Sequence, residues 1–128
     1  MPTINQLLKK CRKPKKRYSR TRILGGCPQR KGICVKVYIT KPKKPNSAER
    51  KIAKIKLFNG KALRASIPGQ GHTLQEHAIV MVRAARVRDI PGMQYKLIRG
   101  KYDFHFKESF ERKQRRSKFS IPKSKENK

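Results

Sequence analysis

The chain has 128 residues, with 36 Lys and Arg against 7 Asp and Glu, a formal net charge of +29, and only 35% hydrophobic residues. That length suits a single domain, and that charge would make a compact globule repel itself unless a polyanion neutralised it. Nucleic acid is the expected polyanion, because no apolar run approaches the roughly 20 residues of a membrane-spanning helix and no long segment pairs a basic face with an apolar one.

Residues 1–26 are predicted to form a basic extension without a fold of its own. Residues 1–48 contain 15 basic residues and no acid, and the extension has too few large apolar side chains to fold alone. Its Ser and Thr content resembles that of a mitochondrial transit peptide, but Pro14 and the charged run 13–17 interrupt any amphipathic helix. We interpret the extension as mature sequence.

The first two predicted strands flank a loop rich in Pro and Lys. Residues 33–40, ICVKVYIT, alternate so that Val35, Val37 and Ile39 share one face of a strand. Beyond the loop, Ile55 and Leu57 point to one side of a second strand. Asn59-Gly60 then predicts a type I′ hairpin turn, which needs φ > 0 at both central positions.

Three more strands are predicted after that turn. Leu63, Ala65 and Ile67 form the return strand, which ends at Pro68-Gly69. Residues 78–83, AIVMVR, are apolar on both faces and predict a central strand. A loop at 85–92, ARVRDIPG, precedes a fifth alternating run at 93–99, MQYKLIR.

Five short strands separated by Gly and Pro turns predict an all-β fold. A five-stranded OB-fold barrel suits a basic, helix-poor sequence, and an SH3-like barrel is the alternative that the pattern leaves open. The predicted organisation is a basic extension at 1–26, an OB-fold domain at 27–103 and a basic C-terminal tail at 104–128. The tail holds 9 basic residues against three glutamates.

Catalytic groups are not apparent, so we predict neither an enzyme nor a cofactor. The seven carboxylates are scattered without a pair. The segment GQGHTLQEH (69–77) has the composition of a site, but it is neither H-E-x-x-H nor a phosphate-binding glycine loop. A turn or a short helical link is the expected structure there.

A zinc site is the alternative that the cysteines and histidines raise. Cys27 and Cys34 have six residues between them, and His72 and His77 have four, so four ligands are available. The two-residue cysteine spacing of zinc knuckles is missing, which favours buried thiols and no metal. With Cys11, the cysteine count is odd in a chain without a secretory h-region, and this favours a reducing compartment.

The two loops that contain prolines carry the most specific signal. In KPKKPNSAERK (41–51) and ARVRDIPG (85–92), prolines restrict the backbone next to basic residues. Phosphate contacts are expected from Lys43, Lys44, Arg86 and Arg88. Asn46 and Ser47 are suited to recognising RNA shape or 2′-hydroxyls. For one such loop, an ordinary solvated turn is an equal alternative, but two such loops on one barrel favour RNA.

Asp89 is an acid among the basic residues of the second loop. We expect it to order Arg83, Arg86 and Arg88 as a counter-charge. Accepting a hydrogen bond from a base amino group or a hydroxyl is the alternative.

Six strings along the chain form a recognisable set. They are MPTINQL at the start, CPQRKGIC (27–34), PKKPNSA (42–48), GHTLQEH (71–77), RVRDIPG (86–92) and RSKF (116–119). Together they resemble ribosomal small-subunit protein twelve of the bacterial and organellar type. The resemblance runs from residue 1 to about residue 100 and resumes near residue 112, and PKKPNSA is its most specific part.

The resemblance implies an OB-fold at the decoding centre, with an N-terminal extension that threads through small-subunit rRNA. The implied partners are that rRNA, the mRNA–tRNA codon–anticodon helix at the A site, neighbouring small-subunit proteins and, transiently, elongation factors, without a membrane. The implied decoding-loop residues are Lys43, Lys44, Pro45, Asn46, Ser47, Arg86, Arg88, Asp89, Pro91 and Gly92. The residues expected to bind rRNA are Lys9, Lys10, Arg12, Lys13, Lys15, Lys16, Arg17, Arg20, Arg22, Arg30, Lys31, Arg115, Arg116 and Lys118.

The chain departs from the family pattern at a few positions. Relatives typically have Leu at the position of Glu49, two glycines at Ala84-Ala85 and Lys at Arg88, and segment 101–111 does not align. Tyr102, Phe104 and Phe106 alternate there and could pair as a strand or stack on a base. This divergence, the lysine content and a start without a cleavable presequence suggest an organelle-encoded protein of a mitochondrial ribosome (matrix), with a plastid or a bacterial cytoplasm as the alternative.

Two rival functions remain open at this point. A free OB-fold module that binds single-stranded RNA or DNA would need aromatic side chains clustered on the sheet, whereas Tyr38, Phe58 and Tyr95 are few and spread out. An enzyme acting on RNA would need an acid–base pair, and none is visible.

Overall fold

The computed structural model describes residues 1–19, 21–106, 114, 116–119 and 121–123. A short helix α1 (Ile4–Lys9) and a 3-10 turn (Arg22–Leu24) precede the strands. The strands are β1 (Gln29–Thr40), β2 (Arg50–Leu57), β3 (Ala62–Ser66), β4 (Ile79–Ala84) and β5 (Tyr95–Leu97), and a helical turn α2 (Arg116–Phe119) follows them. None of these described helices is long and apolar enough to cross a membrane.

The five strands close into a barrel in the order β1-β2-β3-β5-β4. The long strand β1 closes it by pairing antiparallel with β4 through its first half and with β2 through most of its length. β3 and β5 pair in parallel, and the remaining neighbours pair antiparallel. This strand order confirms the predicted OB-fold and excludes the SH3-like alternative.

The barrel interior is filled by the apolar sides of alternating strands. Ile55, Leu63, Ala65, Val80 and Val82 are all at most 6% exposed, as period-2 patterning of an inward face requires. Leu24, from the 3-10 turn, and Phe104, beyond β5, are buried in the same cluster. The predicted domain boundaries at residues 27 and 103 stay a prediction. The core contacts of Leu24 and Phe104 favour a folded unit that includes these two residues as well.

The predicted alternation of β1 is wrong at Val35. The register with β2 shifts between Cys34 and Lys36, because a β-bulge leaves Val35 unpaired. Val35 is consequently 45% exposed while Cys34 is fully buried, and Ile39 near the strand end is 55% exposed. A bulge has no signature in the residue types of ICVKVYIT, so the apolar pattern assigned these side chains incorrectly.

The hairpin between β2 and β3 is confirmed, although its turn is not type I′. Only Gly60 of the Asn59-Gly60 pair has positive φ, at 81°. The Gly60 N–H donates to the Leu57 carbonyl at 3.0 Å, and the Leu57 N–H donates to the Lys61 carbonyl at 2.8 Å. A three-residue loop of this kind places Gly at its left-handed position.

The other predicted elements differ mainly in extent. β5 covers only Tyr95–Leu97 of the predicted 93–99 run, since Met93 belongs to the preceding loop, where it packs with Ile52 and Ile90, and Arg99 turns towards backbone carbonyls. The segment 69–77 has no helix and turns at Glu76 and His77, where the His77 N–H donates to the Cys34 carbonyl at 2.8 Å.

Candidate nucleic-acid interface

The two proline-containing loops lie together at one end of the barrel. Loop A (41–49) joins β1 to β2, and loop B (85–94) joins β4 to β5. The Lys43 N–H of loop A donates to the Asp89 carbonyl of loop B at 2.9 Å. The loops are therefore hydrogen-bonded to each other through their main chains and form one surface.

The Asp89 carboxylate adds two further links between the loops. Its Oδ1 accepts from Asn46 Nδ2 at 2.8 Å, and its Oδ2 lies 3.3 Å from Arg50 Nη2 at the start of β2. These partners differ from the predicted Arg83, Arg86 and Arg88, so Asp89 orders loop A rather than its neighbours in sequence. Hydrogen bonds in which the acceptor is ionised are stronger than neutral ones, so the carboxylate suits this bridging position.

A small second core holds loop B against the barrel wall. Ile52 of β2 and the loop residues Ile90 and Met93 are 1%, 5% and 2% exposed, and Tyr38 and Val87 pack against them. Apolar burial of this kind fixes a loop backbone because leaving would return those side chains to water. It also covers part of Tyr38, and Tyr95 is only 5% exposed in the main core, so neither ring is fully open for stacking.

The outer surface of the two loops is basic and polar. Lys43, Lys44, Arg86 and Arg88 are exposed, as are Pro45, Asn46, Ser47, Pro91 and Gly92, while Asp89 lies partly buried between the loops. A groove of about 650 Å³ runs along loop B and is also lined by Lys43 and Thr21. The structure thus brings all ten predicted loop residues to one end of the barrel.

Two of the departures from the family pattern, Ala84-Ala85 and Glu49, lie in regular surroundings in this structure. β4 runs through Ala84, and the Ala85 N–H continues the ladder by donating to the Gln94 carbonyl at 3.0 Å. Neither alanine has positive φ. Glu49 is exposed, and Arg50 pairs with Asp89 instead of with its neighbour.

The residues expected to bind rRNA are mostly exposed cations. Those of the extension, Lys9, Lys10, Arg12, Lys13, Lys15, Lys16, Arg17 and Arg22, are exposed, as is Lys31. Arg116 is partly exposed. Arg20, Arg115 and the side chain of Lys118 lie outside the described residues.

Arg30 has a structural contact that the sequence did not indicate. Its Nε donates to the Leu24 carbonyl at 2.6 Å, and its Nη2 lies 3.4 Å from Cys27 Sγ. The side chain therefore holds the 3-10 turn, and with it the buried Leu24, against the start of β1.

The cysteines and histidines do not converge in the described part of the chain. No group of three or more His, Cys, Asp and Glu residues there could hold a metal ion. Cys34 lies in the core, whereas Cys11 and Cys27 are exposed. Burial, with a smaller contribution from the charge of Asp103, raises the pKa of the Cys34 thiol to about 11.

The thiol environments predict two classes of cysteine reactivity. In the native protein at pH 8, Cys11 and Cys27 should react quickly with a thiol reagent such as Ellman's reagent, because both are exposed. Cys34 should react only after unfolding, since its thiol is buried and protonated. Stopped-flow absorbance measures this directly: three fast thiols would contradict the buried position, and Cys34→Ala should leave the fast amplitude unchanged.

Arg50 pairs with Asp89, and the sequence pattern did not predict this contact. The two are 39 positions apart, and no local pattern links them. Pairing of Thr40 with Arg50 at the end of the β1–β2 ladder places Arg50 at the mouth of the barrel. Only the register of the closed barrel indicates this contact.

Comparisons with known proteins agree with the resemblance that the six strings indicate. A model of the family described as ribosomal protein S12/S23 matches residues 17–127, a range that includes both loops. The chain is 55% identical over 119 residues to small ribosomal subunit protein uS12m of Acanthamoeba castellanii, with 93% of this chain and 94% of that protein aligned. These are ribosomal proteins and not an enzyme family. The chain belongs to the ribosomal protein S12/S23 family.

Proposed function

We propose that this protein is a structural constituent of the small subunit of a mitochondrial ribosome, where it binds rRNA at the decoding centre and supports codon–anticodon discrimination. Family membership and the name of the Acanthamoeba relative support the ribosomal and mitochondrial assignments. The observation that carries the decoding role is the bridge of Asp89 to Asn46 and Arg50, which makes two basic loops into one stiff surface.

Stiffness matters because decoding compares pairs of nearly equal stability. A correct codon–anticodon pair drives a conformational closure that a wrong pair drives less well. Lys43 and Lys44 contact rRNA phosphates, while Pro45, Asn46 and Ser47 lie beside the bases that inspect the pairing. A surface that holds these groups at fixed positions stabilises the closed state without ordering itself at each event.

The rest of the chain anchors this surface in folded RNA. The basic extension threads through small-subunit rRNA towards neighbouring small-subunit proteins, and the loop end meets the A-site codon–anticodon helix and, transiently, elongation factors. The net charge of +29 supports this assignment, because buried rRNA phosphates supply the missing negative charge.

Sedimentation separates this function from that of a free OB-fold module. We expect the chain to co-migrate with small subunits from an organelle extract and to remain bound through a high-salt wash, because its ends are enclosed by RNA. A module held mainly by phosphate contacts would be released at moderate salt. Release of this kind would overturn the proposal in favour of the module, although burial of Tyr95 already removes one stacking surface from that alternative.

Replacing Lys43 with Asn should reduce misreading without preventing assembly. Loss of one phosphate contact weakens the closed state by about 1 kcal/mol, or about fivefold in its population. Near-cognate codon–anticodon pairs stabilise the closed state less than cognate pairs do, so they are the first to be rejected when that state is weakened. Pro45→Leu, which loosens the loop, should act in the same direction.

The measurement is near-cognate incorporation by purified ribosomes that carry each variant, together with their sedimentation profile. Lys54→Asn is the matched control, because Lys54 is an exposed lysine on the wall of the barrel. Unchanged error frequency together with lost small-subunit assembly would contradict the assignment of loop A to decoding.

A further inference from the structure

Two exposed aromatic rings share one lysine near the start of β1 and the turn between β2 and β3. Phe58 follows β2 and Tyr102 follows β5, and these rings are 65% and 40% exposed. The Lys31 Nζ lies 5.2 Å from the centroid of Phe58 and 5.1 Å from that of Tyr102. Lys31 lies near the start of β1, and Thr40 ends that strand just before loop A, so most of β1 separates this aromatic cluster (Lys31, Phe58, Tyr102) from loop A.

The position of Phe58 in the aromatic cluster is fixed by its backbone surroundings. The Phe58 N–H donates to the Lys31 carbonyl at 3.4 Å, and this hydrogen bond holds Phe58 against β1. The adjacent Asn59 Nδ2 donates to the Ile23 carbonyl at 2.9 Å, and the Asn59 Oδ1 accepts from the Lys61 N–H at 3.1 Å. The turn that presents Phe58 is therefore held from both sides.

Tyr102 is fixed just as closely, in a backbone conformation that tyrosine rarely adopts. Its φ is +53°, in the left-handed region that costs a side-chain-bearing residue free energy. The next residue secures it: Asp103 Oδ2 accepts from the Ile79 N–H at 2.7 Å, and the Asp103 N–H donates to the Ile79 carbonyl at 3.1 Å. Phe104, 1% exposed, then anchors the segment in the core.

We propose that the aromatic cluster is a second RNA-binding site, which takes one unpaired nucleotide by stacking its base on Phe58 or Tyr102 and pairing its phosphate with Lys31. A fixed aromatic face beside an amine matches the alternation of base and phosphate along a single strand. Lys101 supplies a second amine, 5.5 Å from the Tyr102 centroid. The proposed function contributes only the ligand class, RNA.

RNA fits this surface better than an apolar protein partner does. Amines lie over both rings, and a purely apolar partner would have to bury them without an acceptor, which is costly. When a base stacks on Phe58 or Tyr102, it displaces the Lys31 amine from that ring. The amine can then pair with the phosphate of the same nucleotide. Rings that are already fixed lose little entropy on binding.

The test compares two probes of about 12 nucleotides, a length within the site size of OB-folds. One is oligouridine, and the other has the same ribose-phosphate backbone without bases. Fluorescence anisotropy at fixed salt gives Kd for the full-length protein and for F58L/Y102L. We expect the wild type to prefer the base-bearing probe about tenfold or more, and the double variant to lose that preference with an unchanged Kd for the abasic probe.

Controls separate stacking from charge and from other aromatic residues. Lys31→Gln should weaken both probes alike and lower the salt slope by about one. Tyr18→Leu removes an exposed ring of the extension, which has Arg22 5.8 Å from its centroid, and should leave the preference intact. Thermal unfolding of each variant, including F58L alone, verifies the fold.

The outcomes distinguish this site from the ribosomal assignment. A wild type without base preference, a preference that survives in F58L/Y102L, or one lost with Tyr18→Leu overturns the aromatic cluster as a nucleotide site. Sedimentation of the chain with small subunits is a separate result. Failure there with an intact base preference would overturn the ribosomal proposal and leave this site standing.

Discussion

Replacing Asp89 with Ala is expected to uncouple the two loops while the barrel stays folded. Decoding should become slower and more accurate. The substitution removes the acceptor of both Asn46 and Arg50. Each bond to a charged acceptor is worth roughly 1.5–3 kcal/mol in a buried setting. Because the Arg50 and Asp89 side chains are 39% and 36% exposed, solvent screening reduces the combined effect to about 1–2 kcal/mol.

Under the proposed function, that loss falls on the closed state of the ribosome, which the surface formed by the two loops would stabilise. A weakening of 1–2 kcal/mol corresponds to about a five- to thirtyfold change in an equilibrium. Acceptance of correct tRNA should slow, and near-cognate tRNA should be rejected more often. The Lys43 N–H still has the Asp89 backbone carbonyl as its acceptor, so the loops should loosen and not unfold.

Two readouts test the bridge at different levels. Hydrogen exchange in the purified protein should speed up by about tenfold at the Lys43 amide, and ribosomes that carry the variant should show the change in error frequency. Asp89→Asn should be intermediate, because its amide oxygen can still accept from Asn46 but cannot pair with the Arg50 charge.

Glu49→Gln is the charge-matched control. It removes one negative charge from the same loop surface, but Glu49 is exposed and Arg50 pairs with Asp89 instead. Equal effects of Glu49→Gln and Asp89→Asn would mean that total charge, and not the bridge between the loops, controls the surface.

The barrel was predictable because its signals are local. Ile55 and Leu57 alternate with lysines, Leu63 and Ala65 repeat the pattern on the return strand, and Gly60 marks the turn between them. Each of these signals lies within a few residues of the element it specifies. The number of strands and their inward faces follow from such patterns.

The links between loops were not predictable in this way. Asn46 and Asp89 are 43 positions apart, and their contact depends on how β1, β2, β4 and β5 close around the barrel. The predicted partners of Asp89 were arginines close in sequence, because proximity along the chain was the only available guide. Family resemblance located the loops, but the acceptor geometry that joins them required the fold.

The bulge in β1 illustrates a second limit. An inserted residue changes the face of every side chain beyond it, yet Val35 is an ordinary strand residue with no feature that marks it as unpaired. Cys34 fills the core as a consequence. Its burial, which raises the pKa of its thiol, is therefore set by the register of β1 and β2.

Replacing Arg99 with Met is expected to cause the largest loss of stability of any substitution considered for this protein. Arg99 is only 6% exposed, although arginine is seldom buried. Its Nε and Nη2 donate to the Pro68 carbonyl at 3.2 and 2.9 Å, its Nη1 donates to the His105 carbonyl at 3.2 Å, and its Nη2 also donates to the Gly71 carbonyl. The guanidinium stacks 4.3 Å from the Phe104 ring centroid.

One side chain thus ties three backbone segments together where β3 and β5 end. Met would fill part of the volume but leave the Pro68, Gly71 and His105 carbonyls without this donor. His105 is exposed, so water can replace the donor there, whereas the loss at the partly buried Pro68 and Gly71 carbonyls costs about 1–3 kcal/mol each. We expect a destabilisation of about 3 kcal/mol or more. For a domain of this size, that lowers Tm by roughly 10–20 °C.

Thermal and urea unfolding of the purified protein measure this effect. Arg64→Met is the matched control, because Arg64 is an exposed arginine of β3 and its loss removes the same charge. Arg99→Lys should lie between the two, since an ammonium can satisfy some of the carbonyls but cannot stack as a plane on Phe104. If Arg99→Met and Arg64→Met unfolded alike, the carbonyl contacts would contribute little, and burial of Phe104 together with the Asp103 hydrogen bonds to Ile79 would have to hold segment 101–106 on the barrel.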